Sequence, residues 1–284
     1  MKFRQKTVQC LSPSGLHRMA YTEWGDHHNP RVLVCVHGLT RNGRDFDNLA
    51  EAMSGHYRVV CPDVVGRGHS SRLRDPAAYA VPQYVADMVT LIARLGVDRV
   101  DWVGTSMGGL IGMALAAQEG TPVNRLVLND VGPVITVEAL QRIATYVGMD
   151  PTWTTFEEAL AYVKVVSAPF GPLSEAQWWQ LTETSIARRA DGRWGFLYDP
   201  QIAAPFKATF VDQDIDLWPL YERIACPTMA IRGAASDLLP RATWQQMGER
   251  GPHAALAEIP GVGHAPMFVD EAQISVVREF LLTA

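Results

Sequence analysis

One serine stands between glycines in the run Val100-Asp101-Trp102-Val103-Gly104-Thr105-Ser106-Met107-Gly108-Gly109. A short apolar strand must reverse there into an apolar helix within a few residues. Gly104 and Gly108 occupy the positions where a side chain would collide with the neighbouring strand or helix. A turn of this kind, the G-x-S-x-G nucleophile elbow, pushes the serine hydroxyl out above the sheet edge. The first N–H groups of the new helix then point at the same spot, ready for a developing oxyanion.

A serine hydroxyl is a poor nucleophile until a base takes its proton, and the usual base is a neutral histidine oriented by a carboxylate. In a doubly wound sheet such groups gather at the carboxyl ends of strands. His264 qualifies, in the glycine-bearing loop Gly261-Val262-Gly263-His264 after the last apolar run. Asp237 qualifies as the acid, just past Ile231-Arg232-Gly233, and its spacing to His264 fits two consecutive strand-end loops. Asp130, in Leu128-Asn129-Asp130-Val131-Gly132, is the alternative acid; otherwise it anchors the entrance to the segment that follows. A second oxyanion donor is expected from His37-Gly38-Leu39, where Gly38 lets the backbone bend, so that the N–H groups of Leu39 and Met107 form the pair. His37 reads as a brace for its loop. Asp63 to Ser70 reads as a tight, glycine-turned loop packing beneath the site, since Gly66 and Gly68 lack the third glycine and distant acid of a dinucleotide fingerprint.

The elements that must position these groups follow from hydrophobic pattern. Thr7–Leu11 and His17–Trp24 flank the turn Ser12-Pro13-Ser14-Gly15, a hairpin. Arg31–Val36, Tyr57–Cys61, Arg99–Gly104, Arg125–Asn129 and Thr228–Arg232 are continuous apolar runs of the doubly buried type, and Ala255–Ile259 is a weaker one. Helical spacing lies between them, as at Tyr84, Met88, Leu91, Ile92 and Leu95, and Leu110–Ala117 continues from the elbow as a buried helix. The expected fold is α/β: a mostly parallel, doubly wound sheet of about eight strands with an antiparallel edge. The alternation stops between about Pro133 and Val211. Leu140, Ile143, Ala144 and Val147 mark one helix there, and capping-box signatures at Thr155 and Ser174 open two more. Asp191-Gly192 marks a turn before the strand-like Arg193–Tyr198. Residues 133–212 are therefore expected to form a mainly helical, aromatic-rich cap inserted after the sixth strand, with residues 1–132 and 213–284 making the core.

Composition narrows the function. With 48% hydrophobic and 19% charged residues, the 284-residue chain is of ordinary globular type. A net charge of -5 without a basic run argues against nucleic acid and anionic membrane surfaces as partners. No apolar stretch reaches the ~18 residues of a spanning helix. The basic start Met1 to Lys6 leads to no apolar core or cleavage site, so a cytoplasmic location is expected. Cys10, Cys35, Cys61 and Cys226 make no Cys-x-x-Cys pair and no metal-ligand cluster with histidine. They are expected as buried free thiols, and neither a metal nor an organic cofactor is expected.

His37-Gly38-Leu39, Asp63 to Ser70, Gly104 to Gly109, Asp237 and Gly263-His264 together resemble the α/β-hydrolase superfamily, in its branch of capped esterases. The resemblance covers about Val8–Gly132 and Asp214–Leu282. It implies Ser106 as nucleophile, His264 as general base and then acid, and Asp237 as the orienting carboxylate. It further implies cleavage of a small carboxylic ester with an apolar group through an acyl-enzyme. A serine at the elbow departs from haloalkane dehalogenases and epoxide hydrolases, which place aspartate there. Ala265-Pro266 after the histidine departs from the carbon–carbon bond hydrolases, which commonly have tryptophan. A carbon–carbon bond hydrolase, lactonase or thioesterase on the same triad is the alternative, and a non-catalytic ligand receptor is a further one, disfavoured because a receptor has no need of all three groups.

Overall fold

The computed structural model describes residues 3–208 and 212–283. Strands β1 (Phe3–Ser12) and β2 (Gly15–Trp24) form an antiparallel hairpin, followed by β3 (Val32–Val36), helix α1 (Asp47–Met53) and β4 (Arg58–Pro62). Next come α2 (Val81–Leu95), β5 (Val100–Thr105), α3 (Met107–Ala116) and β6 (Val123–Asn129). Every residue of β3 and β4 is buried, as a strand covered on both faces requires.

After β6 the chain departs through β7 (Val134–Ile135) into α4 (Val137–Tyr146), β8 (Thr152–Trp153), α5 (Phe156–Val166) and α6 (Glu175–Ser185). It continues through β9 (Ile186–Arg188), β10 (Trp194–Phe196) and α7 (Ala204–Ala208) and returns in β11 (Ile215–Asp216), which pairs antiparallel with β7. The Leu217 N–H donates to the Pro133 carbonyl at 2.7 Å, so the segment leaves and re-enters through one narrow neck. Both capping boxes form as their sequences require, at Thr155 and Ser174. The segment is not purely helical, because β8, β10 and β9 form a three-stranded antiparallel sheet. Its rings pack on one another, with Trp153 edge-on to Phe196 at 5.1 Å.

The core resumes with α8 (Trp218–Tyr221), β12 (Thr228–Gly233), α9 (Arg241–Glu249), β13 (Ala255–Ile259) and α10 (Glu271–Leu282). The main sheet has eight strands in the order β1-β2-β4-β3-β5-β6-β12-β13, antiparallel at β1-β2-β4 and parallel beyond. Alternate residues of β3 serve different cores. Val32, Val34 and Val36 pack with α2 and α3 on one face, while Leu33 and Cys35 pack with α1 and α10 on the other. Two packed faces leave the carboxyl ends of β3, β5, β6 and β12 side by side at one rim of the sheet. Among the described residues no helix is long and apolar enough to cross a membrane.

Candidate active site

Ser106 lies between β5 and α3 with φ 51° and ψ −116°, a conformation an L side chain adopts only under constraint. The constraint is visible on both sides. A Cβ on Gly108 would overlap the Val36 carbonyl at the end of β3, and one on Gly104 would overlap the Gly108 carbonyl. The close approach of strand and helix is therefore open only to glycine. The Ser106 N–H is tied to the Asn129 carbonyl at 3.0 Å, and its carbonyl starts α3 by accepting from Gly109 and Leu110.

His264 Nε2 lies 3.1 Å from Ser106 Oγ, and His264 Nδ1 lies 2.7 Å from Asp130 Oδ2. With Nδ1–H donating to the carboxylate, Nε2 is free to accept from the serine hydroxyl. The acid in this arrangement is Asp130, at the end of β6, and not Asp237. Asp130 is fully buried and adopts φ 54°, which turns its side chain back over the sheet rim. Its Oδ1 accepts from the Gly233 N–H at 2.8 Å, and Oδ2 also accepts from Ser236 Oγ at 2.6 Å. The loop after β12 thus supplies two donors to the carboxylate instead of the carboxylate itself. Asp237 points the other way, is 54% exposed and pairs with Arg142 of α4 at 2.6 Å. Spacing along the chain favours Asp237, but direction at the end of β6 brings Asp130 to the ring instead, and the signal for it is the polar pair Asn129-Asp130 directly closing an apolar strand. Asn129 is itself fully buried and braces both neighbours, donating to Thr105 Oγ1 at 2.9 Å and to the Pro266 carbonyl at 2.8 Å.

Leu39 sits in the turn closed by the Arg41 N–H to the Gly38 carbonyl, and Met107 is the first residue of α3. Neither N–H is spent on another acceptor among the described residues. A methyl group at Gly38 would stand 3.7 Å from Ser106 Cβ, which sets how near this loop comes to the nucleophile. His37 braces the loop from within: Nδ1–H donates to the Gly38 carbonyl at 2.7 Å and Nε2 accepts the Val64 N–H at 2.9 Å. Burial, with the nearby Arg67 and Arg41 guanidinium groups, pushes its pKa down to about 3, so the ring is neutral.

Sequence reasoning missed Arg67. This fully buried guanidinium donates to the Leu39 carbonyl at 2.8 Å, to the Val65 carbonyl and to Tyr84 Oη, and lies 3.6 Å from Met107 Sδ. It underlies both expected oxyanion residues at once. Asp63 ties the same loops together by accepting from the Gly43 and His69 N–H groups, each at 2.8 Å, while burial raises its pKa against their opposing effect.

Contrary to the expectation from sequence, Cys10 lies in a cluster of ligating groups with a histidine. The hairpin register sets Cys10 opposite His17, and Asp87 of α2 joins them, so that ligating atoms of all three lie within 4.8 Å of one another. Chain separation hid this group. His17 Nε2 meets the Asp87 carboxylate at 2.9 Å, pinning the hairpin to α2. Burial, reinforced by Asp87, raises the Cys10 pKa to about 12, and all four cysteines are free.

An alcohol, an imidazole and a buried carboxylate in hydrogen-bonded line, with two unspent N–H groups in the adjoining turns, are the parts a hydrolase can use for acyl transfer. Comparison with known proteins agrees on the class. The family model described as alpha/beta hydrolase fold matches residues 31–271, and the chain belongs to that family, whose members are hydrolases. It is 54% identical over 284 residues to the 3-hydroxybutyrate-oligomer hydrolase of Cupriavidus necator, covering 98% of this chain and 97% of that one. Among solved structures, a Rickettsia typhi protein superposes with a TM-score of 0.91 at 30% identity, covering 99% of both chains. An alpha/beta hydrolase from Novosphingobium aromaticivorans gives 0.87 at 35% identity, covering 98% of both.

Proposed function

We propose that the chain is a serine hydrolase of carboxylic esters, with short esters of 3-hydroxy acids as its substrates. The observation that carries the reading is the hydrogen-bonded line from Asp130 through His264 to Ser106. Ser106 Oγ attacks the ester carbonyl while His264 Nε2 takes its proton. The developing oxyanion is received by the N–H groups of Leu39 and Met107, each worth about 3 kcal/mol of transition-state stabilisation. Asp130 holds Nδ1–H and so fixes the tautomer in which Nε2 is the base. His264 then returns the proton to the leaving alcohol, and a water activated by the same nitrogen releases the acid from the acyl-enzyme. The segment from β7 to β11 acts as a cap over this site. Its α5 and α6 side chains Val163, Trp178 and Leu181 pack on Met267, three residues beyond His264. The substrate class is supported by the 54% identity to the Cupriavidus necator enzyme over nearly the whole of both chains.

The test is turnover of the 3-hydroxybutyrate dimer, with stoichiometric labelling by a fluorophosphonate mapped by peptide mass. Expected are monomer release, one label on Ser106, and loss of both in Ser106→Ala. Turnover surviving in Ser106→Ala, or a label on another residue, overturns the proposal.

A further inference from the structure

Arg41 is the one cation whose stem belongs to the oxyanion loop itself. Its Cγ would lie 3.9 Å from a methyl group on Gly38, which in turn would lie 3.7 Å from Ser106 Cβ. The side chain therefore starts two van der Waals contacts from the nucleophile. Its head is held on two sides. Nε and Nη2 donate to the two oxygens of Asp45 at 2.9 and 2.6 Å, and the guanidinium lies 5.9 Å from the centre of the Phe170 ring. Phe170 belongs to a single turn lying against the histidine loop, where the Gly263 N–H donates to the Pro169 carbonyl at 2.7 Å. Arg41 thus spans from the loop beside Ser106 to the segment beside His264.

A guanidinium has five N–H groups, and Asp45 takes two. The remaining three, on Nη1 and the outer side of Nη2, have no acceptor among the described residues, and the side chain is 13% exposed. They form the end-on edge that accepts a carboxylate through two parallel hydrogen bonds. Asp45 neutralises one charge here, but the buried Arg67 behind Leu39 has only neutral partners. Both guanidinium groups disfavour protonation of His37.

We propose that the outer edge of Arg41 is a carboxylate-binding subsite that receives the free acid end of the substrate. The proposal rests on the ester reading above. In an ester formed between two 3-hydroxy acids, the terminal carboxylate carbon is four bonds from the scissile carbonyl carbon, on the leaving-alcohol side. The Arg41 stem leaves the Gly38 turn that faces Ser106, so a carboxylate held at its outer edge directs cleavage to the ester bond nearest the carboxyl end of the chain.

The experiment compares the 3-hydroxybutyrate dimer as free acid with the same dimer capped as a primary carboxamide. A hydrogen bond to a charged group contributes roughly 1.5–3 kcal/mol. The preference in kcat/KM for acid over carboxamide should accordingly fall about 30-fold in Arg41→Gln and less in Arg41→Lys. Calorimetry of the acid dimer on Ser106→Ala, with and without Arg41→Gln, should show the same weakening without turnover. An acid preference unchanged by the substitution, whether both substrates suffer together or neither does, overturns the subsite. Butyrate p-nitrophenyl ester separates the two proposals. Its hydrolysis without any acid preference in the unaltered protein sinks the subsite alone, whereas its inertness sinks the serine-hydrolase reading.

Discussion

The choice of acid illustrates what single residues do and do not reveal. Ser106 and His264 were legible because each sits in a glycine-marked loop after an apolar strand, and the structure brings them within 3.1 Å. Asp237 shared that signal and still lies outside the relay. A residue count between two loops says nothing about which way a side chain leaves its strand. The left-handed backbone at Asp130, with the Gly233 N–H and Ser236 hydroxyl waiting for its oxygens, sets that direction. Two substitutions separate the residues. Asp130→Asn should cut kcat roughly 10⁴-fold, as loss of the tautomer-setting carboxylate does in serine proteases. Asp237→Asn removes only a half-exposed ion pair with Arg142 and should leave kcat near its original value. Steady-state kinetics on one ester decides the point, and a larger loss in the Asp237 variant would return the acid role to it.

At the scale of elements, long apolar runs announced the sheet, and the strands of the main sheet fall within a few residues of where hydrophobic pattern puts them. Among the shortest elements only β10 was legible, inside the strand-like run Arg193–Tyr198. β8 and β9 are too short to show a period of two, and they exist because β10 offers them backbone partners in a segment expected to be mainly helical. The junction of β3, β5 and α3 is the element-level device on which the proposed catalysis depends, since it sets where the Leu39 loop and the start of α3 at Met107 meet beside Ser106. Gly108→Ala should force α3 away from the Val36 carbonyl. Overpacking of this kind costs about 3 kcal/mol. Activity should fall further than stability alone explains, because the two N–H groups separate. Urea unfolding and kcat measured on folded protein test this together, and a variant with unchanged kcat would show that the close approach serves packing only.

Across the whole molecule, burial sets protonation states that differ from those of the unfolded chain. His37 is enclosed between β3, the Val64 N–H and the Gly38 carbonyl, and its two hydrogen bonds require the neutral ring. Its pKa is about 3 in the folded chain against the ordinary 6.5. Between these values the unfolded chain binds a proton that the native fold refuses, so stability from this group is full above about pH 6.5 and is lost as pH falls. By pH 5 the loss is about 2 kcal/mol. Buried carboxyls oppose the trend: Asp63 and Asp87 have raised pKa values, so their protonated forms fit the interior and they favour the folded state at lower pH. The comparison must therefore isolate the ring. Urea denaturation of the parent and His37→Asn at pH 7.5, 6 and 5 should give a smaller decline in the variant, by about 2 kcal/mol over that range. In the parent, the His37 ring carbons should show no titration by NMR between pH 7 and 5. Parallel stability curves together with an ordinary ring titration would mean that the loop beside the nucleophile is open to water, and that the positive charge around Leu39 acts in a far weaker field than the buried geometry implies.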